Sequence, residues 1–166
     1  LKLAEASNLA FAGLGQAQLA QMRGENGEAV AQQIARAFAV LAGEFPKDTQ
    51  LLMARTCGGD AAARPETLAR LDKYLATNPK PIAASAVYTL FCAGDTERAM
   101  ELYGRAPTSN DALVNGALFR GLWPDVLASP KFPALARQVG WAELWDSFGP
   151  PDMCTKAANG DWLCKK

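Results

Sequence analysis

The sequence predicts an all-α fold of antiparallel helix pairs. Three observations carry this. The helix formers Ala, Leu, Glu, Gln and Arg dominate the chain, and no β-branched run of strand length occurs. Breakers recur along it: Gly24 and Gly27, Pro46, Gly58-Gly59, Pro79 and Pro81, Gly94, Pro107, Gly121, Pro130, Gly140, and Pro150-Pro151. Between them lie segments of about 12 to 20 residues, the usual length of a globular helix.

Taken in order, the first helix covers about 2–22 and stops ahead of Gly24. The second covers about 27–43, between Gly27 and Pro46, and the third about 48–57, ending at Gly58-Gly59. The fourth covers about 65–77 and the fifth about 81–93, separated by Pro79. Asp95 follows Gly94 and reads as the N-cap of a sixth helix over about 95–105. Thr108 and Asp111 have capping-box spacing ahead of a seventh helix over about 109–120. Short helices follow near 124–128, 130–139 and 141–147. Ser129 reads as an N-cap before Pro130, while Gly121 and Gly140 stand where left-handed C-terminal glycines belong.

Composition narrows the function classes. The 166 residues, 49% of them apolar and 20% charged, suffice for one domain with a real core. Lys plus Arg and Asp plus Glu both number 17, and no basic stripe of the kind a nucleic-acid-binding domain carries is present. The absence of His removes His-based triads, imidazole bases and most zinc sites. Cys57, Cys92, Cys154 and Cys164 contain no closely spaced pair of zinc-ligand type. No metal or cofactor is therefore expected. No stretch is apolar and long enough to span a bilayer, and no signal peptide is visible. The chain opens at Leu1, already in helical pattern. This reads as a piece of a longer protein, whose remainder would hold the targeting information and any membrane attachment.

An internal repeat organises the helices. "IARAFAVLAGEFP", Ile34 to Pro46, aligns without gaps on "TLARLDKYLATNP", Thr67 to Pro79, 33 residues on. Phe38 matches Leu71, Leu41 matches Tyr74, and Pro46 matches Pro79. A third copy begins at Ala99, 32 residues further, with Tyr103 and Ala106 in the same slots and Asp111 in place of the proline. These six apolar positions (Phe38, Leu41, Leu71, Tyr74, Tyr103 and Ala106) are expected to be largely buried.

In these residues the chain resembles the tetratricopeptide repeat family, a helix pair of about 34 residues closed by proline. "AVYTLFCAGDTERAMELYGRA" is the best copy. Ala99, Tyr103 and Ala106 fit the second-helix pattern, and Gly94-Asp95 fits the inter-helix turn. Ile34 and Thr67 depart from it by replacing the small residue, and copy two has the long turn "CGGDAAARPE". The resemblance covers about residues 1–121 and implies a short solenoid in which neighbouring pairs bury one another's apolar faces. A non-repetitive helical bundle is the alternative. First helices of such stacks line a concave groove, which maps to Leu52, Thr56, Ala84, Tyr88 and Phe91 here. Tyr88 and Phe91 would contact an extended peptide or, in the alternative, pack against helix seven.

Residues 122–166 read as a cap sealing the end of the stack. Trp123, Phe132, Trp141, Trp145 and Phe148 concentrate here, with Trp162 in the tail. "SPKFPALARQVG", the Trp-rich helix after it, and Pro151, Asp152, Cys154 and Cys164 resemble the ends of certain bacterial multidomain proteins. Those proteins carry tetratricopeptide-like repeats behind a winged-helix DNA-binding domain or a nucleotide cyclase. In membrane-anchored members the repeats lie outside the inner membrane. A Cys154–Cys164 disulfide fits this context. It would close a short loop, contribute about 3 kcal/mol by loop entropy and require an oxidising compartment. Two free thiols in a cytosolic tail are the alternative. Trp162 is expected to press on Trp141 and Trp145. Cys57 and Cys92 are expected to be free, buried small hydrophobes.

No nucleophile–base pair stands out. Glu97 and Glu101, flanked by Arg98 and Arg105, read as a solvated face. "GLGQAQ" lacks the strand context and third glycine of a dinucleotide site. The sequence thus points to a non-enzymatic sensor or protein-interaction domain of a larger bacterial protein. Its expected setting is a membrane-integrated transcriptional regulator, in the periplasm, with a protein or peptide partner and no nucleic-acid contact of its own. An envelope-complex adaptor and a regulatory domain beside a cyclase are the other readings, with the cytoplasm as the other compartment.

Overall fold

The computed structural model describes residues 2–78, 83–105 and 112–165, with side chains from 9, 83 and 114 onward in these segments. Among the described residues the chain forms ten helices and one two-stranded hairpin. The helices are α1 (Lys2–Met22), α2 (Glu28–Leu41), α3 (Lys47–Cys57), α4 (Arg64–Thr77) and α5 (Ala84–Cys92). They continue with α6 (Thr96–Arg105), α7 (Ala112–Phe119), α8 (Pro124–Leu127), α9 (Phe132–Gln138) and α10 (Trp141–Phe148). The hairpin pairs β1 (Cys154–Lys156) with β2 (Trp162–Cys164). The all-α expectation holds for everything but this tail. Among the described residues no helix is long and apolar enough to cross a membrane.

Helices α1, α3, α5 and α7 end alike. Gly24 donates to Gln21 O (2.9 Å) and Glu25 to Ala20 O (3.0 Å). Gly59 and Asp60 repeat this to Thr56 and Arg55, and Gly94 and Asp95 to Phe91 and Leu90. Gly121 and Leu122 repeat it to Leu118 and Ala117. In each closure a glycine at φ between 73° and 92° satisfies the last carbonyls. A side chain would strain that left-handed conformation. These glycines stand 35, 35 and 27 residues apart. Gly58 has a different duty: a Cβ there would lie 2.8 Å from the Ala31 side chain, so α3 reaches α2 only through glycine.

Helix α2 packs between α1 and α3; α3 meets α4 and α5; α5 meets α6 and α7; and α9 lies on α6. The resulting hydrophobic core is one cluster running from Ala10 to Cys164. Of the six repeat positions, Phe38, Leu71 and Tyr103 are buried. Leu41 and Tyr74 are half-buried, Tyr74 lying against Phe45 at 4.2 Å between ring centroids. Ala106 and the Thr108–Asp111 capping box lie outside the described side chains. Thr67 holds its slot by bonding: its hydroxyl donates to Ala63 O at 2.8 Å and lies 2.8 Å from Thr56 Oγ1, which spares a buried polar group its desolvation cost.

Three local expectations are corrected. Ser129-Pro130 makes a turn instead of starting a helix. Ser129 Oγ accepts from Lys131 N–H at 3.2 Å, and α9 begins at Phe132 with Pro133 in its first turn. The tail departs from the all-α expectation as a two-stranded hairpin: Cys154 opposes Cys164, Thr155 opposes Leu163, and Lys156 opposes Trp162. Cys57 and Cys92 are not free thiols but a second disulfide, with Cα atoms 4.8 Å apart. Among the described residues no free cysteine remains.

Trp141 and Trp145 are both buried; Phe119 meets each of them edge-on, and Phe132 lies tilted against Trp141 and stacked on Trp145. Trp162 meets Trp145 edge-on at 5.9 Å. Its indole N–H donates to Asp146 Oδ1 at 3.0 Å, the same oxygen that accepts from Lys156 Nζ at 2.6 Å. The Cys154–Cys164 disulfide, with Cα atoms 4.0 Å apart, closes the hairpin beneath. Leu144 and Phe148, from the same aromatic-rich segment, stay exposed.

Candidate functional site

The residues mapped to a groove are covered by the chain itself. Tyr88 and Phe91, mapped to a peptide groove, are buried. Phe91 stacks on Trp123 at 4.7 Å, and Tyr88 meets Trp123 at 5.0 Å and Phe38 at 5.9 Å, both edge-on. Thr56 is spent on Thr67, and Leu52 and Ala84 are half-buried. The five residues therefore do not form an open groove. The physical reason is the turn after α7, whose Leu122-Trp123-Pro124 sequence leads back over α5. Trp123 thereby covers both Tyr88 and Phe91.

Polar groups complete this closure. Arg120 Nη1 donates to Gln18 Oε1 at 2.7 Å, and Gln18 Nε2 donates to the Tyr88 hydroxyl at 3.3 Å. Gln18 is 2% exposed. This chain ties α1 to α5 and to the end of α7, across 102 residues of sequence. Burial pushes the Tyr88 phenol up to about 12.

What remains open lies on the outside. Helix α1 leaves Leu9, Phe11, Leu19 and Met22 exposed. A shallow groove of about 380 Å³ between α1 and α2 is lined by Leu9, Ala10, Ala37 and Val40 with Gln33 and Arg36. A larger crevice of about 610 Å³ runs between α6 and α9 over Met100 and Leu135. Its rim charges are mutually paired: Glu97 with Lys131 at 3.0 Å, and Arg98 with Asp95 at 3.8 Å and with Asp72. Glu101 pairs with Arg105, so the Glu97 and Glu101 face is a solvated one.

The perturbed carboxylates share one cause. The Arg70 guanidinium holds Asp48 below its usual range, Arg55 does so for Asp60, and Lys156 does so for Asp146. Asp60 also accepts from the N–H groups of Ala62 and Ala63, which orders the long turn before α4. Among the described residues no group of three or more His, Cys, Asp or Glu is placed to hold a metal ion.

The Cys57–Cys92 pairing is the feature that repeat alignment on prolines misses. Its signal is in the text: Cys57-Gly58-Gly59-Asp60 and Cys92-Ala93-Gly94-Asp95 are the same closure written twice, 35 residues apart. Equivalent helix ends on neighbouring units face each other. The comparisons add no relative: no family model, no curated protein and no solved structure matches this chain.

Proposed function

We propose that this chain is a non-enzymatic sensory or protein-interaction domain, a short tetratricopeptide-like solenoid of a larger bacterial protein working outside the inner membrane. The observation that carries the repeat reading is the shared closure of α1, α3, α5 and α7, the first three of its glycines 35 residues apart. Stacked copies of one helix-pair unit produce such equivalence, and the serial packing of α3, α5 and α7 supports it. Two disulfides support an oxidising compartment. The exposed Leu9, Leu19 and Met22 of α1 support contact with another protein. The parent protein is a membrane-integrated transcriptional regulator, as the resemblance of residues 129–164 implies, with its membrane attachment and DNA contacts in other segments.

Photo-crosslinking tests this in the parent protein within its native cells. A crosslinker at Leu19 should give one adduct of defined mass, lost on Leu9→Glu. One at Leu51, exposed on α3, should give none. Equal adducts from both positions, or none from Leu19, would sink the interaction reading. Cysteine alkylation before lysis tests the compartment, because free Cys154 and Cys164 would exclude the periplasm.

A further inference from the structure

We infer that the Cys57–Cys92 disulfide is a redox-responsive clasp between successive helix pairs, opened by a dithiol reductant at Cys92, while Cys154–Cys164 is a permanent staple. This holds whatever partner the domain serves. The two bonds differ in access. Cys154 and Cys164 are each 4% exposed and belong to the core beside Trp162. Cys57 is equally covered, but Cys92 is half-buried and borders an open groove of about 240 Å³ with Thr56, Asp60, Arg64 and Gly94. Thiol–disulfide exchange proceeds at the sulfur a thiolate can reach. The Arg64 guanidinium lines the same groove as Cys92, a positive charge on the path by which a thiolate would enter.

The exchange balances as follows. A reductant thiolate bonds to Cys92 Sγ, and the Cys57–Cys92 bond breaks with its electron pair leaving on Cys57 Sγ, which takes up a proton. The reductant's second thiol then attacks its own mixed-disulfide sulfur. Cys92 leaves as a thiolate and is protonated, and the reductant departs as a disulfide. Two electrons pass to the protein.

The bond's position gives this event a consequence. The carbonyl of Cys57 accepts the side-chain amide of Gln21 on α1. Phe91, the neighbour of Cys92, carries the Trp123 stack that covers this face of α5. The clasp thus lies between the α1 anchor and the Trp123 stack. Opening it frees α5 to move against α3 and changes the surroundings of Trp123.

The test uses the oxidised full chain in graded dithiothreitol, with alkylation and peptide mapping, circular dichroism, and tryptophan emission of wild type and Trp123→Phe. Cys57 and Cys92 should open at a reductant level about tenfold or more below Cys154 and Cys164. Helical signal should persist, and the emission change should vanish in Trp123→Phe. Opening of the tail bond first or together with it overturns the inference. So does opening only upon loss of helix, and so does reduction with no Trp123-dependent change. A folded Cys57→Ser/Cys92→Ser variant should show the reduced emission without reductant; the oxidised emission there would equally overturn it.

Discussion

Trp123 lies on Phe91 with ring centroids 4.7 Å apart and planes inclined by 24°, so the chain's own aromatic covers this face of α5. That contact joins the repeat segment to the cap. It also explains why the first helices offer no open peptide groove.

Trp123→Ala should therefore destabilise the whole domain. The indole is partly buried against Phe91 and Tyr88, and truncating it should cost about 2–4 kcal/mol, below the full core value. Trp123→Phe should retain about half of that. Urea unfolding measures both, and a loss under about 0.5 kcal/mol for the alanine variant would mean the stack contributes nothing.

Leu71 fills the second-helix slot of copy two and is fully buried. Leu71→Ala should cost about 2–5 kcal/mol. Leu144→Ala, at a side chain 52% exposed, should stay within about 0.5 kcal/mol. Similar losses at both would contradict the core assignment.

Tyr88 makes a pH prediction on the alkaline side. Its folded-state pKa, about 12, lies above its unfolded value of about 10. Its contribution to stability is thus complete below about pH 10 and lost as pH rises toward 12. In a spectrophotometric titration the Tyr88 phenol should resist ionisation until unfolding begins. Gln18→Ala, which leaves the Tyr88 hydroxyl and Arg120 without this partner, should cost about 1–3 kcal/mol.

Asp146 makes the opposite prediction. Bonding to Lys156, and secondarily to the Trp162 indole, holds its carboxyl below the usual range. That contribution is present above the unfolded carboxylate pKa of about 3.9 and is lost as pH falls through the folded value. Melting curves near pH 6 and pH 3 should differ more for wild type than for Asp146→Asn. Equal acid sensitivity in both would show that this carboxylate does not hold the tail.

Replacing Cys154 and Cys164 by Ser should loosen the hairpin and expose Trp162, at a cost of about 3 kcal/mol by loop entropy. Hydrogen exchange should rise in α10 and the tail and leave α2 to α4 unchanged. Faster exchange throughout α2 to α4 would show that the cap and the repeats are a single cooperative unit.

Much of this fold is local and therefore legible. Gly24, Gly59, Gly94 and Gly121 each follow a helical run and close it, because glycine accepts the left-handed closure cheaply. The 33- and 32-residue spacing of Phe38, Leu71 and Tyr103 picks out one buried residue on each of α2, α4 and α6. Cys154 and Cys164 stand close enough in sequence for their bond to be expected. Tertiary structure decided the rest. Cys57 reaches Cys92 because α3 and α5 stack, a pairing across 35 residues that no local rule supplies. Tyr88 and Phe91 are equally apolar in a groove or in a core, and only the return of Trp123 over α5 closes that choice. The tail became a hairpin because Trp162 gains an aromatic neighbour and a carboxylate on α10, which a three-residue strand of weak intrinsic preference needs in order to pair.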